Sequence, residues 1–90
     1  MIYPVYSIRD NKAGTFDPPV IAANDYVIQR NLAEQIISGN YRIINFAPSD
    51  FDLYRIGDFD LDKGVLIPKI PVELVAGCRE VVDNYGYKKG

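Results

Sequence analysis

The chain is 90 residues long, with 48% apolar residues, a formal net charge of −2, one cysteine, no histidine and no tryptophan. This composition fits one domain burying roughly 60% of its unfolded surface, and it excludes intrinsic disorder and a membrane span of roughly 20 apolar residues. Without histidine the commonest general base is missing, and neither a Ser-His-Asp triad nor a usual zinc ligand set can form. We therefore expect a protein that is not an enzyme and that needs no cofactor.

The start of the chain and its single cysteine predict a location. Met1 to Val5 has neither a basic segment nor a long apolar one, so no secretory signal is expected. Cys78 has no partner for an internal disulfide, which fits a reducing cytoplasm. On an apolar helical stripe, this cysteine is more typical of a small core residue than of a reactive thiol. The sequence thus predicts a soluble cytoplasmic protein without a membrane partner.

The first fifth of the chain has the residues of an extended backbone. Tyrosine and β-branched residues between Ile2 and Arg9 favour a strand. Because proline cannot donate to a ladder, either the strand begins near Val5 or Pro4 lies on a side without a partner strand. Residues 10–14 have turn chemistry, and the prolines at 18–19 keep residues 15–21 extended. This segment is predicted to be a connection or a short edge strand.

A helix is predicted next, over Asn24 to Ser38. Asn24 suits the N-cap because its side-chain oxygen can accept from a free amide of the first turn, and Gly39 can end the helix in a left-handed conformation. Its apolar stripe follows the helical spacing of three and four. The stripe consists of Ile28, Leu32, Ala33, Ile36 and Ile37.

The second half of the chain predicts more strands. Residues 41–46 are expected to form a short strand and residues 51–59 the central one. Residues 60–64 have hairpin-loop length, and a strand over 65–67 should return antiparallel and end at Pro68.

A second helix is predicted at the C-terminus. Pro71 suits a first helical position, and apolar residues then recur at helical spacing. They are Leu74, Val75, Cys78, Val81 and Val82. The expected fold class is α+β, a small antiparallel sheet of three to four strands with one helix packed on it and this C-terminal helix. We expect one domain over residues 1–83 and a flexible tail over 84–90.

Three aspartates near the hairpin resemble a calcium loop. Asp58, Asp60 and Asp62 match the first ligand positions of an EF-hand. The required glycine and glutamate are replaced by Lys63 and Lys69, so an acidic turn is favoured. A carboxylate enzyme built on the same cluster would need a concave pocket, which a hairpin tip rarely provides.

Aromatic and basic residues are the best candidates for function. Stacking of bases on rings, with cations along the phosphates, is how single-stranded nucleic acid is bound. The sequence has seven tyrosines, and several have a cation close by. These neighbours are Tyr6 with Arg9, Tyr41 with Arg42, Tyr54 with Arg55, and Tyr87 with Lys88 and Lys89. The acidic pI near 4.9 restricts any such site to a local patch, and on residues alone tyrosines as core and interface filler are favoured.

Two sequence blocks carry a family resemblance. The first is Tyr-Pro-Val-Tyr-Ser-Ile-Arg-Asp-Asn-Lys-Ala at 3–13, followed by the prolines at 18–19. The second is Ser-Asp-Phe-Asp-Leu-Tyr-Arg-Ile-Gly-Asp-Phe-Asp at 49–60, followed by Gly64. In order and spacing, as far as about Ile70, the chain resembles the small nonstructural protein of gokushoviruses, single-stranded DNA phages of the Microviridae. The resemblance implies a DNA-binding protein of single-stranded genome synthesis in the host bacterial cytoplasm, absent from the virion and without a catalytic motif.

We therefore expect a non-enzymatic single-stranded DNA-binding accessory protein of phage genome replication or single-strand synthesis. A homodimer is expected because a small sheet leaves a face or an edge uncovered. The candidate binding residues lie where a ring and a cation are close in sequence. They are Tyr6, Tyr41 and Tyr54 for stacking, and Arg9, Lys12, Arg42 and Arg55 for phosphates.

An alternative function remains open, which is a protein-interaction module that binds a phage or host replication protein, or a capsid protein. It fits the acidic balance of the chain better. Tyrosine and arginine are also enriched at protein interfaces, so composition does not separate the two functions. The role of the Lys88-Lys89 tail is open in both.

Overall fold

The computed structural model describes residues 1–86, apart from the side chain of Arg42. A small antiparallel sheet with helices forms, which confirms the α+β fold class. The strands are β1 (Ile2–Asp10), β2 (Thr15–Phe16), β3 (Val20–Ile21), β4 (Phe51–Asp60) and β5 (Val65–Gly77). The helices are α1 (Asp25–Ile37), α2 (Arg42–Phe46) and α3 (Cys78–Val81), with a 3-10 turn at Pro48–Asp50 and a π-helix at Val82–Gly86.

The strands are arranged in the order β2-β1-β4-β5, and β3 pairs with β1 beside β2. All pairings are antiparallel, and β1 pairs with β4 over its full length, from Ile2 with Asp60 to Asp10 with Phe51. The segment around the prolines at 18–19 thus follows the outer edge of β1. The long strand β5 forms the opposite edge.

Helix α1 confirms the sequence prediction. The Asn24 side chain accepts a hydrogen bond from the Val27 amide at 2.9 Å, and Gly39 takes a positive φ of 96° after the helix. Four residues of the predicted stripe are buried, while Ile37 is 42% exposed. The apolar stripe therefore packs α1 onto the sheet.

The core lies on one face of the sheet, which we call the covered face. Tyr6 and Ile8 from β1 and Leu53 from β4 are buried there with the apolar residues of α1 and α3. Because successive side chains of a strand point to opposite sides, Arg9 and Tyr54 lie on the other side of the sheet, the open face. This alternation positions the candidate site.

The centre of the sheet contains a bulge and a close approach of two strands. Ile56 is an extra residue in β4, because the β1–β4 register steps from Tyr6 with Arg55 to Val5 with Gly57. A Cβ atom at Gly57 would lie 2.5 Å from the Ile67 carbonyl oxygen. Glycine is required here because the backbone of the neighbouring strand β5 leaves no room for a Cβ atom.

The prediction of a strand over residues 41–46 is wrong, because this segment forms helix α2. Tyr41 packs against the core and Ile44 is 3% exposed, so two residues three positions apart face the same way. A helix makes that possible, whereas an extended strand would point them to opposite sides. Packing against the core therefore overrides the β-branched composition.

The prediction that Pro68 ends the last strand is also wrong, because β5 continues to Gly77. The C-terminal helix accordingly begins at Cys78 and not after Pro71. Prolines are tolerated because β5 is an edge strand, whose outer side has no ladder partner to donate to. Four residues between Pro68 and Glu73 also loop out where β4 has only Ile56.

The expected flexible tail is described only in part. Residues 84–86 belong to the π-helix, and the Tyr85 ring packs on the core and meets the Tyr26 ring at a centroid distance of 5.7 Å. Tyr87, Lys88 and Lys89 lie outside the described residues. Within residues 1–86, no helix is long and apolar enough to cross a membrane.

Candidate nucleic-acid interface on the open face

Three side chains from three strands meet on the open face. Arg9 of β1 pairs with Phe16 of β2, and its Cζ atom lies 5.8 Å from the centroid of the Phe16 ring. The Phe16 and Tyr54 rings meet edge to face, at a centroid distance of 5.6 Å and an interplanar angle of 63°. We call Arg9, Phe16 and Tyr54 the open-face cluster. It combines two rings with one cation in direct contact.

The Arg9 guanidinium has free hydrogen-bonding capacity. Its Nη1 donates to Asn11 Oδ1 at 2.8 Å, and Asn11 Nδ2 in turn donates to Asp52 Oδ2 at 2.8 Å. Among the described residues no carboxylate lies within ion-pair distance of Arg9. Because arginine has five N–H donors, this arrangement orients the group and leaves donors for an anionic ligand.

A second row of apolar side chains crosses the open face near the hairpin. Tyr3 lies an even number of residues from Arg9 in β1, so it faces the same side. It pairs with Phe59, which pairs with Leu66. The two rings are half-buried and Leu66 is 66% exposed. Aromatic surface is therefore present at both ends of this face.

The three tyrosines predicted to stack occupy different environments. Tyr54 is in the open-face cluster. Tyr6 is fully buried on the covered face, where its hydroxyl donates to Asp25 Oδ1 at 2.5 Å, so its ring has no surface for a base. Tyr41 is half-buried, packed against the core just before α2. One of the three, Tyr54, thus contacts the Phe16 ring that also contacts a cation on the open face.

The four predicted cations are also separated. Arg9 is in the cluster, and Lys12 is exposed in the turn that follows β1. Arg55 is adjacent to Tyr54 in sequence, yet it pairs with Asp58 at 2.5 Å on the other side of the strand. Arg42 lies in α2, and its side chain is outside the description. Of the predicted set, the structure brings together Arg9 and Tyr54.

The environment of Tyr6 explains its structural role. Burial and the hydrogen bond to Asp25 raise the pKa of the Tyr6 hydroxyl well above its ordinary value. The hydrogen bond to Asp58 raises the pKa of Arg55, whose Nε atom is buried without a partner. Tyr6 therefore stays neutral, and Arg55 is held by Asp58.

The aspartates of the hairpin have turn and ion-pair roles. Asp60 Oδ1 accepts from the amides of Asp62 at 3.0 Å and Lys63 at 3.2 Å, which is local turn capping. In the described part of the chain, no group of acidic, histidine or cysteine side chains could hold a metal ion. The calcium-loop pattern thus corresponds to turn chemistry in the structure.

Phe16 is the residue of this site that sequence proximity did not identify. No cation lies within three positions of Phe16 in the sequence, and the ring contacts Arg9 because a turn over residues 11–14 folds β2 back onto β1. Pairing the residues across that turn would have indicated the contact.

Comparison with known proteins identifies a family. A family model described as Phage ORF5 protein matches residues 3–81. No curated protein and no solved structure matches the chain.

Proposed function

Because the chain belongs to the Phage ORF5 protein family and is thus a phage protein, we propose that it is a non-enzymatic single-stranded DNA-binding accessory protein of a gokushovirus. In this proposal it acts in genome replication or single-strand synthesis of a Microviridae phage, in the host bacterial cytoplasm and outside the virion. The observation that supports DNA binding is the open-face cluster of Arg9, Phe16 and Tyr54.

The cluster has the two elements that single-stranded DNA needs. Phe16 is 43% exposed and Tyr54 is half-buried, so each ring is fixed by packing and still presents surface to a base. Stacking on such rings contributes about 1 to 3 kcal/mol per base, and Arg9 beside them can bind a phosphate. A sheet face with exposed aromatics is also how RNA-recognition domains stack two or three bases.

The acidic net charge is compatible with a local patch, because one carboxylate is neutralised by an ion pair and others are held in position by hydrogen bonds. Asp25 accepts from Tyr6, Asp58 pairs with Arg55, and Asp60 caps the hairpin turn. Asp52, the acid nearest to the cluster in the β1–β4 register, accepts from Asn11. We expect moderate affinity with few phosphate contacts, since the basic surface is small.

Fluorescence anisotropy with a labelled oligonucleotide tests the proposal. The oligonucleotide should be longer than the roughly 4 to 16 nucleotides that one small domain covers. Affinity should fall between about 50 and 200 mM salt, and Arg9→Ala should weaken binding and reduce the salt slope by about 0.7, the loss of one phosphate contact.

Arg30→Ala is the matched control. Arg30 also lies over an aromatic ring, at 5.9 Å from the centroid of Tyr26, but on helix α1 and away from the open face. The Arg30→Ala variant removes the same charge as Arg9→Ala. An unchanged affinity in Arg30→Ala would therefore show that the effect of Arg9→Ala depends on the position of Arg9. Absence of oligonucleotide binding at low salt, or equal loss in both variants, would refute the proposal.

A second candidate function is protein interaction through strand β5. Ten consecutive residues of this edge strand, from Val65 to Leu74, are exposed. Six of them are apolar, and Ile70 is 87% exposed. Exposed apolar edge strands are templates for pairing with another chain. The partner would be a second copy, giving the expected homodimer, or a phage or host replication protein or a capsid protein.

Light scattering after size exclusion distinguishes these cases. If β5 mediates a homodimer, Ile70→Lys should shift the mass from dimer to monomer, whereas Ile43→Lys at an exposed position of α2 should not. A wild-type monomer at high concentration would refute self-association and leave binding of a different protein as the second candidate.

A further inference from the structure

A cleft of about 210 Å³ lies between helix α1 and the connection that joins β2 to β3. Buried apolar side chains line its floor, among them Ile8, Leu32 and Leu53. Its volume is below the roughly 300 Å³ of the smallest sites for drug-sized ligands, so it has room for one planar ring. The Tyr41 side chain also lines this cleft.

Three polar side chains surround the apolar floor. Asn31 and Gln35 lie one turn apart on the same side of α1, and Asp17 lies on the connection. No hydrogen bond of the Asn31 amide is found within residues 1–86, and Gln35 Oε1 accepts from Asn40 while its own amide N–H groups remain available. Amides and carboxylates are the groups that hydrogen-bond the edges of bases.

The cleft is held in place relative to the sheet. The Asp17 amide donates to the Ile8 carbonyl at 2.8 Å, and the buried Ser7 hydroxyl donates to the Asp17 carbonyl at 2.6 Å. Both bonds fix the backbone of Asp17 against β1. The Asp17 carboxylate is therefore attached to a backbone segment that is held in place, as a recognition group requires.

The cleft is directly adjacent to the open-face cluster. Phe16 and Asp17 are consecutive, and the Phe16 ring contacts Tyr54 on the open face while Asp17 lines the cleft. If one base of a bound DNA strand stacks on Phe16, the DNA has to cross only this edge of the sheet for the neighbouring base to reach the cleft. We propose that the cleft binds a single nucleobase and gives the protein a base preference, an inference that rests on the proposed DNA binding.

An apolar side chain from a protein partner is the competing occupant. It would fill the floor but leave Asp17, Asn31 and Gln35 without hydrogen-bonding partners on desolvation, which is unfavourable. A base can satisfy them, because the Watson–Crick edge of every base offers both donors and acceptors. The polar groups at the rim therefore favour a nucleobase.

Binding of four labelled homopolymer oligonucleotides tests this inference. Wild type should prefer one base by roughly 5- to 100-fold, and the double variant Asn31→Ala/Gln35→Ala should bind all four with similar affinity. Gln29→Ala is the control, because this amide is also on α1 and donates to the Asp25 carbonyl, outside the cleft. It should keep the preference. Equal binding of all four by wild type would overturn the cleft proposal and leave DNA binding intact.

A second measurement separates the two proposals when oligonucleotides do not bind. In NMR titrations with the four deoxynucleoside monophosphates, the side-chain amide signals of Asn31 and Gln35 should shift for the preferred base. Such shifts without oligonucleotide binding would support the cleft and refute the proposed function. No shifts with any nucleotide, or shifts only with a phenylalanine-containing peptide, would overturn the cleft proposal.

Discussion

The covered and open faces of the sheet use the same strands for different purposes. Leu53 and Tyr54 are neighbours in β4, yet Leu53 is 1% exposed in the core and Tyr54 contacts Phe16 on the other side. Likewise Tyr6 is buried, while Arg9 reaches the open face. Alternation along the strand separates rings from cations that are adjacent in sequence, and pairing between strands brings others together.

The largest expected effect is on the covered face. Leu53→Ala should lower the free energy of unfolding by about 2 to 5 kcal/mol, because it removes buried methyl groups and leaves a cavity. Urea unfolding followed by circular dichroism measures it. The matched control is Leu66→Ala on the open face, where 66% exposure predicts a change within about 0.5 kcal/mol. Similar losses in both variants would contradict the assignment of the two faces.

The next effect concerns binding on the open face. Tyr54→Ala should weaken oligonucleotide affinity by about 1 to 3 kcal/mol, because one stacking ring and its contact with Phe16 are lost. Tyr54→Phe keeps the ring and should retain most of the affinity. Anisotropy titrations measure both variants, and equal weakening by the two would show that the hydroxyl, and not stacking, is responsible.

A smaller effect is expected for the Tyr6 hydroxyl on the covered face. Tyr6→Phe should cost about 1 to 2 kcal/mol of stability, because the hydrogen bond to Asp25 is lost. Oligonucleotide affinity should be unchanged, because the Tyr6 ring is buried. The raised pKa of Tyr6 means that its contribution is complete below the ordinary tyrosine pKa of 10.0 and is lost at higher pH. Wild-type stability should therefore fall above pH 10 more steeply than that of Tyr6→Phe. Parallel pH profiles would contradict this.

The smallest expected effect at neutral pH is on the reactivity of the Cys78 thiol. Burial, with smaller contributions from Asp52 and Asp17, raises the pKa of this thiol to about 12. The native thiol should thus react with a thiol reagent at pH 8 only as fast as the protein opens. Stability from the neutral thiol should be lost as the pH rises from 9.0 towards 12. Immediate labelling of the native protein would show that Cys78 is accessible.

The elements with strong local signals were predictable from the sequence. Helix α1 has both an N-cap and a terminal glycine, and the predicted and observed ends differ by one residue. Residues 41–46 and the end of β5 were not predictable in this way. In the first, contact of Ile44 with the core decides the conformation, and in the second, the edge position tolerates Pro68 and Pro71.

The candidate site was predictable in part for a related reason. Proximity of ring and cation in the sequence predicts Arg9 and Tyr54, but with the wrong neighbours, because strand register and not distance along the chain decides which side chains meet. Phe16 contacts both residues only after a turn and a sheet pairing have formed. The contact of Phe16 with Tyr54 depends on tertiary structure, which local sequence patterns do not encode.

The prolines of strand β5 have a consequence for how the protein behaves at high concentration. An exposed apolar edge could recruit strand after strand into a fibre, provided that it offers an unbroken row of amide donors. Proline has no backbone N–H, so Pro68 and Pro71 interrupt the run of amide donors along β5. The edge proposed to bind one partner is thereby a poor template for open-ended growth, which lowers the risk of amyloid-like aggregation.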